Sequence, residues 1–197
     1  MTATEQQAAP QSTRGLSTTD LALVSSFAAL IAVCAVIGGV PVGGGGVDIT
    51  LQTFGVLLAG AVLGPVRGFL AVSLYLAIGA VGLPVFAGHT GGLAPFTGAS
   101  AGYLFSFPFA AAAVGLVVLA VGQRRTRAVW IFLGAAVATL VNHAAGIVGM
   151  KIFFSVSWAT AASYDAPFWL GDVVKGLVVA LVAAEVHRAF PQLLSRR

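Results

Sequence analysis

Six apolar stretches follow one another along the chain, each bounded by polar or glycine-rich residues. A helix that crosses a membrane needs about 20 consecutive, mainly apolar residues. We therefore predict four spans of about that length and two shorter ones, over 20–40, 50–64, 68–83, 102–122, 129–150 and 168–187. Residues 1–19 are mostly polar and lack apolar periodicity, which predicts a disordered tail. Residues 191–197 are expected to form a basic C-terminal tail, so the membrane domain is predicted over 20–190.

The second and third predicted spans are separated only by Gly64, Pro65, Val66 and Arg67. Such a short connection predicts a tight helical hairpin. Pro65 is expected to end the first helix of this hairpin because proline lacks a backbone donor, and glycine is expected to permit the turn.

The composition supports this membrane assignment. Hydrophobic residues make up 58% of the chain and charged residues only 8%, and the mean hydropathy is +0.99. Soluble domains carry about 25% charged residues. The predicted fold class is therefore an all-α membrane protein, a bundle of six transmembrane helices within a lipid bilayer.

The ten lysines and arginines are distributed unevenly about these spans. If the spans alternate in direction, one side of the membrane holds both termini and eight basic residues: Arg14, Arg67, Arg124, Arg125, Arg127, Arg188, Arg196 and Arg197. The other side holds Lys151. Because basic loops stay in the cytoplasm, both termini are predicted to be cytoplasmic. The net charge of +4 is thus explained by orientation, and nucleic acid is not an expected partner.

An aspartate and a lysine interrupt the last predicted span. Asp172 and Lys175 lie three residues apart, so they share one face of a helix. A charge near the middle of a spanning helix costs roughly 2.5 to 3.5 kcal/mol, and it usually faces a partner, a cavity or a ligand. The pair therefore predicts a binding site in the outer half of the bundle, although a self-neutralising ion pair is the alternative.

Other polar residues also lie within the predicted spans. They are Gln52, Thr53, Tyr75, Tyr103, Asn142 and His143. Each of them either bonds a neighbouring helix or contacts a ligand. The aromatic residues near the outer loops either form an interfacial belt or wall an apolar pocket; they are Phe86, Phe96, Trp158, Phe168 and Trp169.

Several chemical functions are not predicted. His89, His143 and His187 fall in separate segments without paired ligand spacing, so no metal site is expected. The chain has no glycine-rich phosphate loop that ends in Gly-Lys-Ser or Gly-Lys-Thr, so it is not expected to hydrolyse ATP. No nucleophile with a nearby base is evident, and the protein is not expected to be an enzyme.

Residues 49–53 read ITLQT, residues 63–68 read LGPVRG, and residues 167–175 read PFWLGDVVK. Tyr75, Gly79 and the run GLPVF at 82–86 lie between the last two of these motifs. Together these residues resemble the BioY family, the biotin-binding S components of energy-coupling factor transporters. The resemblance implies a six-helix subunit of the bacterial cytoplasmic membrane that captures biotin from outside. It also implies a transmembrane coupling subunit and two ABC-type ATPase subunits as partners, and no cofactor apart from biotin as the transported ligand.

The resemblance assigns roles to particular residues. Asp172 is expected to accept a hydrogen bond from a ureido N–H of biotin. Lys175 is expected to donate either to the ureido oxygen or to the carboxylate, a choice that the sequence leaves open. The other expected substrate-binding residues are Gln52, Thr53, Tyr103, Asn142 and Phe168. The family's Pro-Thr-Gly-Gly-Tyr run is replaced by residues 99–103, ASAGY, of which only Gly102 and Tyr103 match.

The first helix carries small residues at a spacing that lets another helix approach closely. Ala28 and Ala32 form such a pair. By resemblance, this face is expected to contact the coupling subunit, with Arg67 anchoring the cytoplasmic hairpin beside the interface.

Three alternatives to biotin capture stay open at the level of the sequence. The first is an S component for another vitamin, because the architecture alone does not name a ligand. The second is a small intramembrane enzyme that uses Asp172, Asn142 and His143. The third is a structural assembly protein, given the many small residues.

Overall fold

The computed structural model describes residues 16–41, 46–122 and 127–195. Nine α-helices lie within these ranges: α1 (Thr18–Val36), α2 (Gln52–Leu63), α3 (Pro65–Ala80), α4 (Ala94–Thr97), α5 (Ala101–Val121), α6 (Arg127–Phe154), α7 (Trp158–Asp165), α8 (Phe168–Ala189) and α9 (Gln192–Ser195). Two short strands, β1 (Val40–Pro41) and β2 (Asp48–Ile49), pair in antiparallel register, and a 3-10 turn covers Ala87–His89. The protein is thus an all-α bundle with irregular connections.

Each predicted span coincides with one of the longer helices. Helices α1, α5 and α6 are long and apolar enough to cross a membrane, and α7 with α8, bent by 48°, can be counted as a fourth span. Helices α2 and α3, with 12 and 16 residues, are apolar but shorter. The all-α membrane architecture is therefore confirmed. The count of six spans stays a prediction.

The predicted tails fall largely outside the described residues. Residues 1–15 and 196–197 are not covered, and α1 already begins at Thr18. Helix α9 occupies part of the predicted C-terminal tail, 191–197.

The tight hairpin forms between α2 and α3, but Pro65 has a different place in it from the one predicted. Gly64 is the only residue between the two helices, and its φ of +82° is one that L side chains rarely adopt. Pro65 is the first residue of α3, where its missing N–H has no intrahelical partner to lose. The turn therefore depends on Gly64, and Pro65 starts a helix rather than ending one.

Helix α2 lies in the centre of the bundle. It packs against α1, α3, α5 and α8, and nearly all of its side chains are buried. This explains why it is apolar on all sides. A Cβ added at Gly60 would overlap the backbone of Ala111 in α5, and one at Gly68 in α3 would lie 2.7 Å from the Gly60 Cα. Glycine at these positions lets three helices approach closely.

The two ends of the bundle differ in character. At one end, Arg67 Nε lies 2.8 Å from Asp20 Oδ1, which joins the start of α3 to the start of α1. The opposite end holds the β1–β2 hairpin and the N-termini of α2, α5 and α8; we call it the cavity end. The polar residues of the predicted site lie at the cavity end.

Candidate ligand-binding site

A cavity of about 250 Å³ opens at the cavity end. All seven residues that were predicted to bind substrate lie in its wall: Gln52, Thr53, Tyr103, Asn142, Phe168, Asp172 and Lys175. The remaining lining residues come from the hairpin, the connection before α5 and α5 itself; they are Gly46, Val47, Asp48, Thr50, Phe86, Ala87, Thr90, Pro95, Ser100, Leu104 and Phe107. Apolar walls with a few converging polar groups are typical of small-molecule sites.

Three side chains form a closed polar triangle in this wall. Lys175 Nζ donates to Asp172 Oδ1 at 2.7 Å and lies 3.1 Å from Thr53 Oγ1. The Thr53 hydroxyl donates to the same Asp172 oxygen at 2.9 Å. Asp172 and Lys175 share one face of α8, whereas Thr53 comes from the first turn of α2. The packing of α2 against α8 therefore assembles the triangle.

The triangle is largely shielded from solvent. The exposed fraction of the side chain is 4% for Asp172 and 11% for Lys175. In such surroundings an unpaired charge is costly, so the two charges stabilise each other. A ligand that enters the cavity meets a carboxylate acceptor and an ammonium donor side by side.

Gln52 and Asn142 are held by hydrogen bonds to neighbouring helices. Gln52 Nε2 donates to the Tyr75 hydroxyl at 2.8 Å, and that hydroxyl donates to the Val85 carbonyl at 3.2 Å. The Ser106 hydroxyl donates to Asn142 Oδ1 at 2.5 Å. Both amides thus have fixed orientations at the cavity wall. Contact of either with a ligand stays a prediction.

Aromatic rings supply much of the apolar wall. Phe86 is buried, and its ring packs edge-to-face against Tyr75 and Phe96. A Cβ at Gly79 would overlap the Phe86 ring, so the absence of a side chain there makes room for it. Of the two roles considered for Phe86, the structure places it in the pocket wall rather than in a belt. Trp158, by contrast, is exposed.

Tyr103 lines the cavity, but its hydroxyl bonds another residue of the protein. It donates to Asp165 Oδ1 at 2.5 Å, while the ring lies 6.0 Å from that of Phe168. The ring of Tyr103 therefore contributes apolar surface to the cavity.

Asp165 is the residue that sequence reasoning missed. It lies at the end of α7 with none of its side chain exposed. Besides the Tyr103 hydroxyl, it accepts a hydrogen bond from Trp169 Nε1 at 2.7 Å and lies 2.7 Å from His143 Nδ1. The sequence offered one signal for this residue. Asp165 precedes Trp169 by four residues near the start of the last span, a spacing at which two side chains can meet.

The residues predicted to contact a coupling subunit have different environments. Ala28 is only 2% exposed and belongs to the core, so its side chain is not available at the surface of the described bundle. Ala32 is half-buried. Arg67 bonds Asp20 within the chain. The exposed small residues of α1 before Ala32 include Ser25, Ser26 and Ala29.

Among the described residues, no three His, Cys, Asp or Glu side chains are arranged to hold a metal ion.

This chain is similar to several known proteins. The biotin transporter BioY of Rhodobacter capsulatus is 41% identical to this chain over 193 residues, covering 90% of this chain and 98% of that protein. The biotin transporter BioY of Rhizobium etli is 36% identical, covering 92% of this chain and all of that protein. A crystal structure at 2.1 Å of the S-component for biotin from an ECF-type ABC transporter matches with a TM-score of 0.79 at 24% identity, covering 86% of this chain and 91% of that one. This match shows that the two proteins share a fold.

The model of the BioY family matches residues 5–192, nearly the whole chain. The resemblance that the three sequence motifs carry is thereby confirmed. The chain belongs to the BioY family.

Proposed function

We propose that this protein is the biotin-binding S component of an energy-coupling factor uptake transporter. The observation that carries the proposal is the Asp172–Lys175–Thr53 triangle in the cavity wall. Relatives named as biotin transporters, with up to 41% identity across nearly their whole length, support biotin as the ligand.

The chemistry of biotin fits the polar groups of the cavity. Its ureido ring carries two N–H donors and one carbonyl acceptor, and its tail ends in a carboxylate. Asp172 accepts from a ureido N–H in this proposal, while Lys175 donates either to the ureido oxygen or to the carboxylate. The apolar sulfur ring and tail contact the rings of Phe86, Phe107 and Phe168.

The arrangement in the membrane follows from the basic residues. The described arginines Arg67, Arg127 and Arg188 lie at the ends of helices opposite the cavity end, whereas Lys151 lies at the cavity end. The positive-inside rule then directs the cavity outward and the termini to the cytoplasm of a bacterial cell. In this proposal six helices cross the membrane, with α2 and α3 as a short central hairpin.

A transmembrane coupling subunit and ABC-type ATPase subunits complete the transporter in this proposal. The coupling subunit contacts the side of α1 that carries the exposed Ala29 and the half-buried Ala32, beside the α2–α3 hairpin with Arg67. Tryptophan at Ala29 or Ala32 should then reduce co-purification with the coupling subunit. Val137→Trp, on an exposed face of α6, is the matched control and should co-purify normally.

Calorimetric titration of the purified protein with biotin tests the proposed ligand. Lys175→Ala and Asp172→Asn should each weaken binding at least about 10-fold, which is the scale of one charge-assisted hydrogen bond. Lys151→Ala is the matched control: this lysine lies over the Trp158 ring and does not line the cavity, so biotin affinity should not change. Unchanged binding by both cavity variants would reject the assigned site.

Riboflavin and thiamine are titrated in the same way. If one of them binds and biotin does not, the protein is an S component for another vitamin.

A further inference from the structure

Behind the cavity wall, a buried histidine lies between two carboxylates. His143 Nδ1 is 2.7 Å from Asp165 Oδ1, and His143 Nε2 is 3.4 Å from Asp172 Oδ2. The histidine side chain is only 1% exposed, and it does not line the cavity. The three residues come from α6, α7 and α8, so this contact joins three helices at one point.

The two carboxylates beside the ring favour its protonated form. A neutral imidazole carries one N–H and one lone pair, so either tautomer would direct a lone pair at a carboxylate. The doubly protonated ring places its Nδ1–H against Asp165 and a second N–H on the side of Asp172. Among the described residues Nε2 forms no hydrogen bond, so its contact with Asp172 at 3.4 Å is electrostatic. The buried charges then alternate from Asp165 through His143 and Asp172 to Lys175 and sum to zero, which avoids the cost of an unpaired buried charge.

We propose that His143, held in its charged form by Asp165, is a positioning residue for biotin binding. It attracts Asp172 Oδ2 from outside the cavity, so that Oδ1 stays directed toward Thr53, Lys175 and the ligand. Asp165 in turn is fixed by hydrogen bonds from Tyr103 and Trp169. Binding groups are precise when a second layer of hydrogen bonds locks them. This inference rests on the proposed function.

Acidic and aromatic side chains from three helices face the imidazole ring of His143. Asp165 is on α7, Asp172 and Trp169 are on α8, and the Tyr103 ring on α5 lies 6.4 Å from the imidazole. Trp169 stacks on the imidazole with a centroid distance of 4.5 Å and an interplanar angle of 10°. Because a charged imidazole quenches an adjacent indole, the fluorescence of Trp169 reports the charge of His143.

The test compares the biotin affinity of the wild type and His143→Gln from neutral to alkaline pH. The glutamine variant should bind about 10-fold more weakly at neutral pH, as expected for the loss of one charged contact. Wild-type affinity should fall as the ring loses its proton, while the variant should show no change over the same range. His89→Gln, an exposed histidine, should retain the wild-type affinity and profile.

Fluorescence gives a readout that needs no ligand. With Trp130 and Trp158 replaced by phenylalanine, Trp169 emission should rise over the pH range in which biotin affinity falls, and His143→Gln should abolish the rise. If His143→Gln does not fold, Asp165→Asn carries the same expectations for affinity and pH profile.

Three results would overturn the inference. The first is a His143→Gln variant with wild-type affinity, and the second is a pH profile, flat or sloping, that the variant shares with the wild type. The third is constant Trp169 emission over the pH range in which affinity falls. If the wild type does not bind biotin at all, the proposed function fails, and the emission of Trp169 still tests the charge of His143 separately.

Discussion

Lys175 Nζ lies 2.7 Å from Asp172 Oδ1, so the two charges that interrupt the last helix compensate each other within the bundle. The other oxygen of Asp172 lies 3.4 Å from Nε2 of His143, the ring that we infer to be charged. A change to one member of this set therefore alters the charge balance of the whole set.

Removal of one charge should destabilise the protein more than removal of two. Asp172→Asn leaves Lys175 and His143 with only Asp165 to balance them, and loss of one partner from a buried pair costs about 3 to 5 kcal/mol. The double variant Asp172→Asn/Lys175→Met restores neutrality and should unfold at a higher temperature than the single variant. Thermal unfolding of the ligand-free proteins in one detergent measures the difference. A double variant that is no more stable than Asp172→Asn would contradict this charge balance.

Thr53→Val should weaken biotin binding about 5- to 10-fold. The change preserves the side-chain shape but removes the hydroxyl that bonds Asp172 and Lys175, and one such hydrogen bond contributes about 1 kcal/mol. Thr53→Ser retains the hydroxyl and is the matched control. Titration calorimetry decides between them: equal affinities of the valine and serine variants would show that the hydroxyl does not organise the pair.

Gly79→Ala should reduce biotin affinity by displacing an aromatic ring. The added methyl would overlap Phe86, which is buried and lines the cavity. Overpacking costs about 1 to 3 kcal/mol, so we expect a loss of roughly 10-fold in affinity together with a lower unfolding temperature. Gly171→Ala, in α8 beside Asp172, has open space for its methyl and should be close to wild type. If Gly79→Ala binds as tightly as Gly171→Ala, Phe86 does not shape the pocket.

Asp20 and Arg67 should show a measurable coupling energy. Their side chains are mostly shielded and lie 2.8 Å apart. The coupling energy of this pair should therefore exceed about 1 kcal/mol, which is the upper end of the range measured for exposed ion pairs. A double-mutant cycle with Asp20→Asn and Arg67→Gln, measured by unfolding, isolates this pair from the other contacts of each residue. The exposed pair Glu185–Arg188, treated in the same way, provides the comparison and should give a smaller coupling. Equal couplings would indicate that the first pair does not join α1 to α3.

The sequence predicted the long helices because a membrane helix must be apolar over most of its length, and such runs are visible without any tertiary information. The helix ends were less predictable. Pro65 can end one helix or begin the next, and the choice depends on Gly64, whose positive φ completes the turn.

The sequence also did not predict which face of a helix is buried. Ala28 and Ala32 are four residues apart and so lie on the same side of α1. Ala28 nevertheless packs in the core, because α3 and α2 cover that part of α1, whereas Ala32 is half-buried.

The cavity wall was predictable for a related reason. Gln52, Thr53, Asn142, Asp172 and Lys175 are polar residues within apolar segments, so each needs a partner, and the helix rise places them at similar depth. Asp165 was missed because it lies in a segment that the sequence predicts to be a loop, where a carboxylate normally faces water. Contacts with residues 62 and 22 positions away bury it, and such contacts exist only in the folded chain.

The single-residue link at Gly64 also constrains how the protein is made. Helix α2 has 12 residues and α3 has 16, so each is shorter than the roughly 20 residues that span a bilayer. In the proposed six-helix arrangement we therefore expect the two helices to enter the lipid together. Helix α2 cannot reach its central place until α5 and α8 have been synthesised to surround it. The ligand pocket is therefore completed only once α8 has been synthesised and delivers its charged pair to the start of α2.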